Sequence, residues 1–155
     1  MAQRYVVAAA AFTLSTTAKT AVNIIAGANN PFTIIEIGAS VNALTGMCLV
    51  ELFESTQGAA GTTTSTGVKQ IGGYSSGTDG TPYATYGHNY SAEPTTLTVL
   101  KMWRFPCPGP FVIQFPLGRE PWSLLSGSTN HKALGIRLTI DTGSPTSDSY
   151  VEFEE

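Results

Sequence analysis

Leu134-Gly135-Ile136-Arg137-Leu138-Thr139-Ile140 alternates strictly, with aliphatic side chains at every even position and Arg137 and Thr139 between them. Successive side chains of a β-strand point to opposite faces. This stretch therefore reads as a strand with one face in a core and the other toward water. Phe111-Val112-Ile113-Gln114-Phe115 repeats the pattern, and so does the C-terminal run in which Val151 and Phe153 alternate with Glu152 and Glu154. Apolar residues spaced i, i+3, i+4, i+7 in windows free of Gly and Pro are nearly absent, so helices are not expected.

Two further runs, Phe32 to Ile37 (FTIIEI) and Met47 to Phe53 (MCLVELF), are apolar at both parities. Burial on two sides suits a central strand, or one whose outer face meets another subunit. Tyr5–Leu14, Ala21–Ala26, Thr95–Phe105 and Trp122–Leu125 complete the set. About eight or nine strands, separated by Gly- and Pro-rich turns, predict an all-β domain of the β-sandwich or jelly-roll kind. Within the strand starting at Thr95, Trp103 falls in register with Leu97 and Val99, which assigns all three to the core face. The longest irregular stretch, residues 55–90, is rich in Gly, Ser and Thr and holds one short strand-like piece, Val68–Ile71.

The 155 residues form a single domain, 1–155, on length alone. Charged residues make up only 12% against 42% hydrophobic, about half the charge of an ordinary soluble domain. Such a chain either covers itself with neutral polar groups or hides surface by assembling. The eight Lys and Arg residues are dispersed and the net charge is −3, which argues against a nucleic-acid partner, since phosphate binding needs clustered cations. No apolar run reaches membrane-spanning length, so no membrane partner is expected. Arg4 followed by Tyr5–Leu14 has the outline of a signal peptide, but one arginine is a poor basic region and the run reads as a strand. Cys48 and Cys107 lack metal-ligand spacing and read as buried free thiols, with a bridge left open.

Candidate chemistry is thin. Gly73-Tyr74-Ser75-Ser76-Gly77 fits the nucleophile-elbow pattern G-x-S-x-G, yet no apolar strand precedes Ser75 and Thr78-Asp79-Gly80-Thr81-Pro82 follows where a helix should start. His88 and His131 are the only histidines and stand 43 residues apart, unlike the three or four ligands that zinc requires. Glu36 and Glu51 could pair across strands as glycosidase carboxylates do, but ordinary surface positions account for both. The sequence thus predicts no enzyme, no cofactor and no metal. Asn89-Tyr90-Ser91 is a formal glycosylation sequon with nothing to support it. Trp103, Trp122 and the loop tyrosines could stack on sugars, although Trp122 after Pro121 reads better as a half-buried anchor.

Interaction is the better prospect. Long loops inside compact domains usually carry contacts, and Tyr74, Tyr83 and Tyr86 supply aromatic area. Phe115-Pro116-Leu117-Gly118-Arg119-Glu120-Pro121-Trp122 reads as a rigid, partner-facing corner. Its two prolines restrict the backbone, Arg119 and Glu120 supply adjacent charges, and Trp122 supplies an amphipathic anchor. The candidate interface residues are Pro116, Arg119, Glu120, Trp122, Tyr74, Tyr83 and Tyr86. Low charge and strands apolar on both faces predict self-association.

Taken together, Asn29-Asn30-Pro31-Phe32 before an Ile-rich strand, Asn89-Tyr90-Ser91-Ala92-Glu93-Pro94-Thr95, the Phe115–Pro121 segment and the terminal Val151-Glu152-Phe153-Glu154-Glu155 carry a resemblance. The chain resembles small virion proteins of tailed bacteriophages, including those of actinobacterial hosts, some of them of the capsid decoration (cement) type. The resemblance implies a structural protein on the capsid surface of a virion, with the major capsid protein or another virion protein as partner. At a three-fold position it implies a homotrimer. A tail or fibre component, or a carbohydrate-binding β-sandwich module, is the alternative.

Overall fold

At roughly 3.3 Å per residue, a straight strand the length of Thr33–Ser55 would span about 75 Å, far more than a domain of this size allows. In the computed structural model, which describes residues 3–27, 30–55, 69–71, 84–88, 93–94, 97–123 and 133–155, this strand, β3, bends. The others are β1 (Arg4–Thr13), β2 (Lys19–Ile25), β4 (Lys69–Ile71), β5 (Thr85–His88), β6 (Leu97–Gln114), β7 (Ala133–Ile140) and β8 (Thr146–Glu154). All pairings are antiparallel, in the order β4-β1-β8-β3-β7-β2-β5, with β6 also on β3. The sheet curls until β1 approaches β2 and β5. The chain is therefore all-β, a nearly closed barrel-like sheet, with no helix among the described residues.

β3 holds three neighbours. Residues 33–41 pair with β8, residues 46–55 pair with β7, and β6 runs along both stretches. Between Val41↔Gly109 and Gly46↔Cys107 the register jumps, so residues 42–45 of β3 stand opposite Pro108 alone. There the ribbon folds over. Trp103 and Phe111, which a straight strand would hold about 26 Å apart, bring their ring centroids to 5.8 Å. Pro106, Pro108 and Pro110 lack the N–H that a second ladder would need, which suits an edge strand.

The core fills the curl. Tyr5, Ile24, Ile34, Ile37, Val50, Leu52, Ile136, Leu138, Val151 and Phe153 are all buried in one cluster. Tyr5 stacks on Phe153 with centroids 5.4 Å apart, and Phe32 meets Phe153 edge-on at 5.6 Å. Near the seam, the row Leu52–Ile136–Val22–His88 faces inward, which places His88 in the wall at 2% exposure.

The two runs apolar at both parities have local causes. In FTIIEI a register shift between Ile34 and Glu36 turns both Ile34 and Ile37 inward, leaving Ile35 half-buried outside. In MCLVELF, Cys48, Val50 and Leu52 face the core, while Phe53 is fully buried on the opposite face. It lies over Gly135, its ladder partner. Of the two stretches expected as separate strands, Thr95–Phe105 and Phe111–Phe115, the described parts Leu97–Phe105 and Phe111–Gln114 belong to one continuous β6, and residues 95 and 96 lie outside the described residues. The prolines between them read as a turn, whereas an edge strand accommodates them. A further shift between Leu52 and Phe53 parts Trp103, opposite Val50, from Val99, opposite Phe53. Trp103 does pack against the core, but Val99 and Leu97 take the other face. The expected strand at Trp122 is a single bridge to Thr33. Leu124 and Leu125 lie outside the described residues. Cys48 and Cys107 are buried and free.

A Cβ at Gly135 would sit 2.5 Å from the Val22 carbonyl oxygen and 2.7 Å from the Phe53 ring. Backbone cannot yield there as a flexible side chain would. Gly135→Ala should cost about 1–3 kcal/mol in urea denaturation, without loss of the two-state transition. A midpoint equal to that of the unaltered protein would contradict the packing of Phe53 over the β7–β2 ladder.

Candidate interaction surface

The corner after β6 is fixed by its backbone. Arg119 N–H donates to the Pro116 carbonyl at 2.9 Å, and Gly118 at the third position has φ +79°, as a type II turn requires. Both ends are tied to β3. Phe115 N–H donates to the Ile35 carbonyl at 2.9 Å, Ile34 N–H to the Pro121 carbonyl at 2.8 Å, and Ser123 N–H to the Phe32 carbonyl at 2.8 Å. The Ser123 hydroxyl accepts from Phe32 N–H at 2.9 Å.

Anchored in this way, the corner displays apolar side chains. Leu117 is 98% exposed and Trp122 is 65% exposed. Trp122 was expected as a half-buried anchor. Its bridge to Thr33 aims the ring outward, and Ser123 takes the buried position. Pro116 and Arg119 are exposed and Glu120 is half-buried. Beside the corner lies a cleft of about 580 Å³, lined among others by Arg4, Ile35, Phe115, Leu117, Glu120 and Glu154. Arg4 is held by Glu154 at 3.1 Å and by Glu152 at 3.8 Å. All the large exposed hydrophobics among the described residues (Leu100, Met102, Val112, Leu117 and Trp122) lie on β6 or this corner. Exposed apolar area concentrated on one stretch of chain makes it the candidate interaction surface.

The cleft opens on the outer face of the β1/β8 half. Farther along that face a hollow of about 300 Å³ is lined by Ala8, Ala10, Ser40, Val112 and Tyr150, among others. The Tyr150 ring occupies the space where Gly38, its ladder partner, has no side chain, and its hydroxyl donates to the Glu36 carboxylate at 2.5 Å. Burial, then the Glu36 carboxylate, push the phenol up to about 12.

The other candidates disperse. Tyr86 is on β5, half-buried and packed against the core, which leaves little of it for a partner. Tyr74, Tyr83, Ser75, His131 and the Asn89 sequon lie outside the described residues. Glu36 and Glu51 share strand β3, and each has its own partner, Tyr150 for Glu36 and Arg137 for Glu51 at 2.5 Å. No group of three His, Cys, Asp or Glu side chains is placed to hold a metal among the described residues. What sequence reasoning missed is Leu117, a lone leucine in a turn with no periodic signal. Comparison with protein-family models, curated proteins and solved structures finds no match.

Tyr150 sets a pH dependence. Its folded pKa lies above the ordinary value of 10.0, so the unfolded chain loses its proton first. Stability present below pH 10 is then lost as pH rises toward 12. Phenolate absorbance should show one tyrosine ionising last, together with a fall in melting temperature across that window. Tyr150→Phe should remove both. A Phe variant with an unchanged alkaline stability profile would disprove the assignment.

Proposed function

We propose that the chain is a structural virion protein of a bacteriophage, a capsid decoration protein that binds the outside of the head shell and stabilises it. The observation that carries this reading is the nesting of the strand pairs. β1 pairs β8, β2 pairs β7 and β3 pairs β6, each pair enclosing the next along the chain. Cut at the bend, the sheet gives two five-stranded orders, β4-β1-β8-β3-β6 through residues 33–41 and 109–114 of the last two strands, and β5-β2-β7-β3-β6 through residues 46–55 and 97–107. This supports a jelly roll, the architecture of many viral capsid and lectin domains.

The surface supports the same reading. A rigid apolar corner and an apolar edge strand on a charge-poor domain suit burial against neighbours. The partner is the major capsid protein or another virion protein, and the copies associate as a trimer around a three-fold position. A tail or fibre location would use the same features. The exposed Trp122 ring favours one further reading, a carbohydrate-binding module that stacks sugars on it.

Labelled antibody on purified virions distinguishes head from tail, and particles free of the protein would end the virion reading. Leu117→Asp should alter the stability of the isolated domain by no more than about 0.5 kcal/mol, because the side chain is in solvent. The same change should lower capsid occupancy or self-association about tenfold, the loss of one modest hot spot. Unchanged occupancy and an unchanged sedimentation profile would leave the corner a plain turn. Trp122→Ala losing glycan-array binding while occupancy holds would favour the carbohydrate reading.

A further inference from the structure

We propose that Cys48 and Cys107 are a modification site, a dithiol that closes to an inter-strand disulfide when the protein meets an oxidant of the small-molecule disulfide class. The inference is independent of the virion reading. These are the two cysteines of the chain. Gly46↔Cys107 and Cys48↔Phe105 are alternate ladder pairs with Met47↔Pro106 between them, so the cysteines sit diagonally on adjacent strands. Both belong to the buried core cluster and so point to the same side of the ladder. The two thiols interact with one another, and neither is bridged.

Diagonal neighbours in a flat ladder stand about 7–8 Å apart, at or beyond the roughly 7 Å that a disulfide spans without backbone movement. This diagonal lies at the register jump, where four residues of β3 loop out and the ribbon bends. Irregular register raises the local twist, and an edge strand held on one side only can shift toward its partner. Cys107 is on that edge strand, 6% exposed, between the exposed Pro106 and Pro108, while Cys48 is at 0%. Access therefore favours Cys107.

The exchange balances in two steps. The Cys107 thiol loses its proton to solvent and its sulfur attacks a disulfide R–S–S–R, which forms a mixed disulfide and expels one R–S⁻. The Cys48 thiol then gives its proton to the R–S⁻ already released, and its sulfur attacks the Cys107 sulfur and expels the second R–S⁻. The protein loses two protons and two electrons, and the oxidant leaves as two thiols once the second R–S⁻ takes a proton from solvent. Burial first, with Asp141 contributing, raises both thiols, Cys48 to about 12. Reaction is therefore slow at neutral pH and speeds up in alkali. A chain made in a reducing compartment and released into an oxidising one would carry the thiol form first and the bridge later.

The cross-link would tie the two strands that flank the whole stretch between β3 and β6, within which β4 and β5 lie. Folded protein incubated at pH 8 to 9 with excess oxidised glutathione, about two units above neutrality at most to limit unfolding, should lose about 2 Da, the two hydrogens. Denatured thiol titration should fall from two groups to none, and protease digestion should yield a peptide joining Cys48 to Cys107. The oxidised form should melt about 5–10 °C higher, the entropic effect of closing a long loop, and dithiothreitol should reverse the shift. Cys48→Ser should stop at the mixed disulfide on Cys107, the step that a resolving thiol would otherwise complete. Folded protein that retains both thiols, or accumulates only mixed disulfides, while the denatured chain bridges readily, would overturn the proposal.

Discussion

Everything in this fold leans on the ladder between β3 and β6. Among the described strands β3 alone pairs with three others, β8 and β7 in turn on one edge and β6 on the other. If β3 were straight, the two stretches would be one flat sheet with an apolar face in water. The bend at residues 42–45 brings that face onto itself, so apolar area is buried without any helix layer. Trp103, Phe105, Phe111 and Phe115 gather where the ribbon folds, with centroid separations of 5.3 to 6.4 Å. Lys101 lies over Phe115 at 5.3 Å. A half-buried aromatic group with its cation at the rim lets an edge strand close a core.

How much of this was legible depended on whether period 2 survived locally. β7 alternates without interruption from Leu134 to Ile140, and its core face falls as read, while the face assigned to water is partly covered, with Phe53 over Gly135. FTIIEI and the stretch around Leu100 defeat the same logic, because a single extra residue in a bulge inverts every later assignment. Nothing in Ile34-Ile35-Glu36-Ile37 says which residue will be the extra one. The prolines of β6 misled for a related reason. Pro106, Pro108 and Pro110 exclude a central strand but not an edge, and edge or centre is a property of the pairing rather than of the segment. The long-range nesting of β1 with β8 and β2 with β7 had no sequence signal at all.

The corner was legible as a rigid element, since Pro116, Gly118 and Pro121 announce their backbone restrictions directly. Its side-chain directions were not. Whether Trp122 faces the core or water depends on the parity of its bridge to Thr33, a contact between residues 89 positions apart. The same limit applies to Glu36 and Glu51. Their types gave no hint that one would hold Tyr150 and the other Arg137.

The outer faces of the two halves differ in a way that bears on where a partner can sit. On the β2/β7 half, Thr20, Asn23, Glu51, Phe53 and Ser55 are all buried although they point away from the core row. Glu93 accepts both the N–H and the hydroxyl of Thr20 at 2.6 Å, so chain from the stretch between β3 and β6 already covers part of that face. The β1/β8 half keeps Ala8, Ala10 and Asp148 exposed, with its two clefts open and Arg4 half in solvent. Covering polar groups a second time would require breaking the first set of contacts, a cost that an open face avoids. The proposed partner would therefore meet the least resistance on the β1/β8 half and the corner beside it, the same region that carries Val112, Leu117 and Trp122.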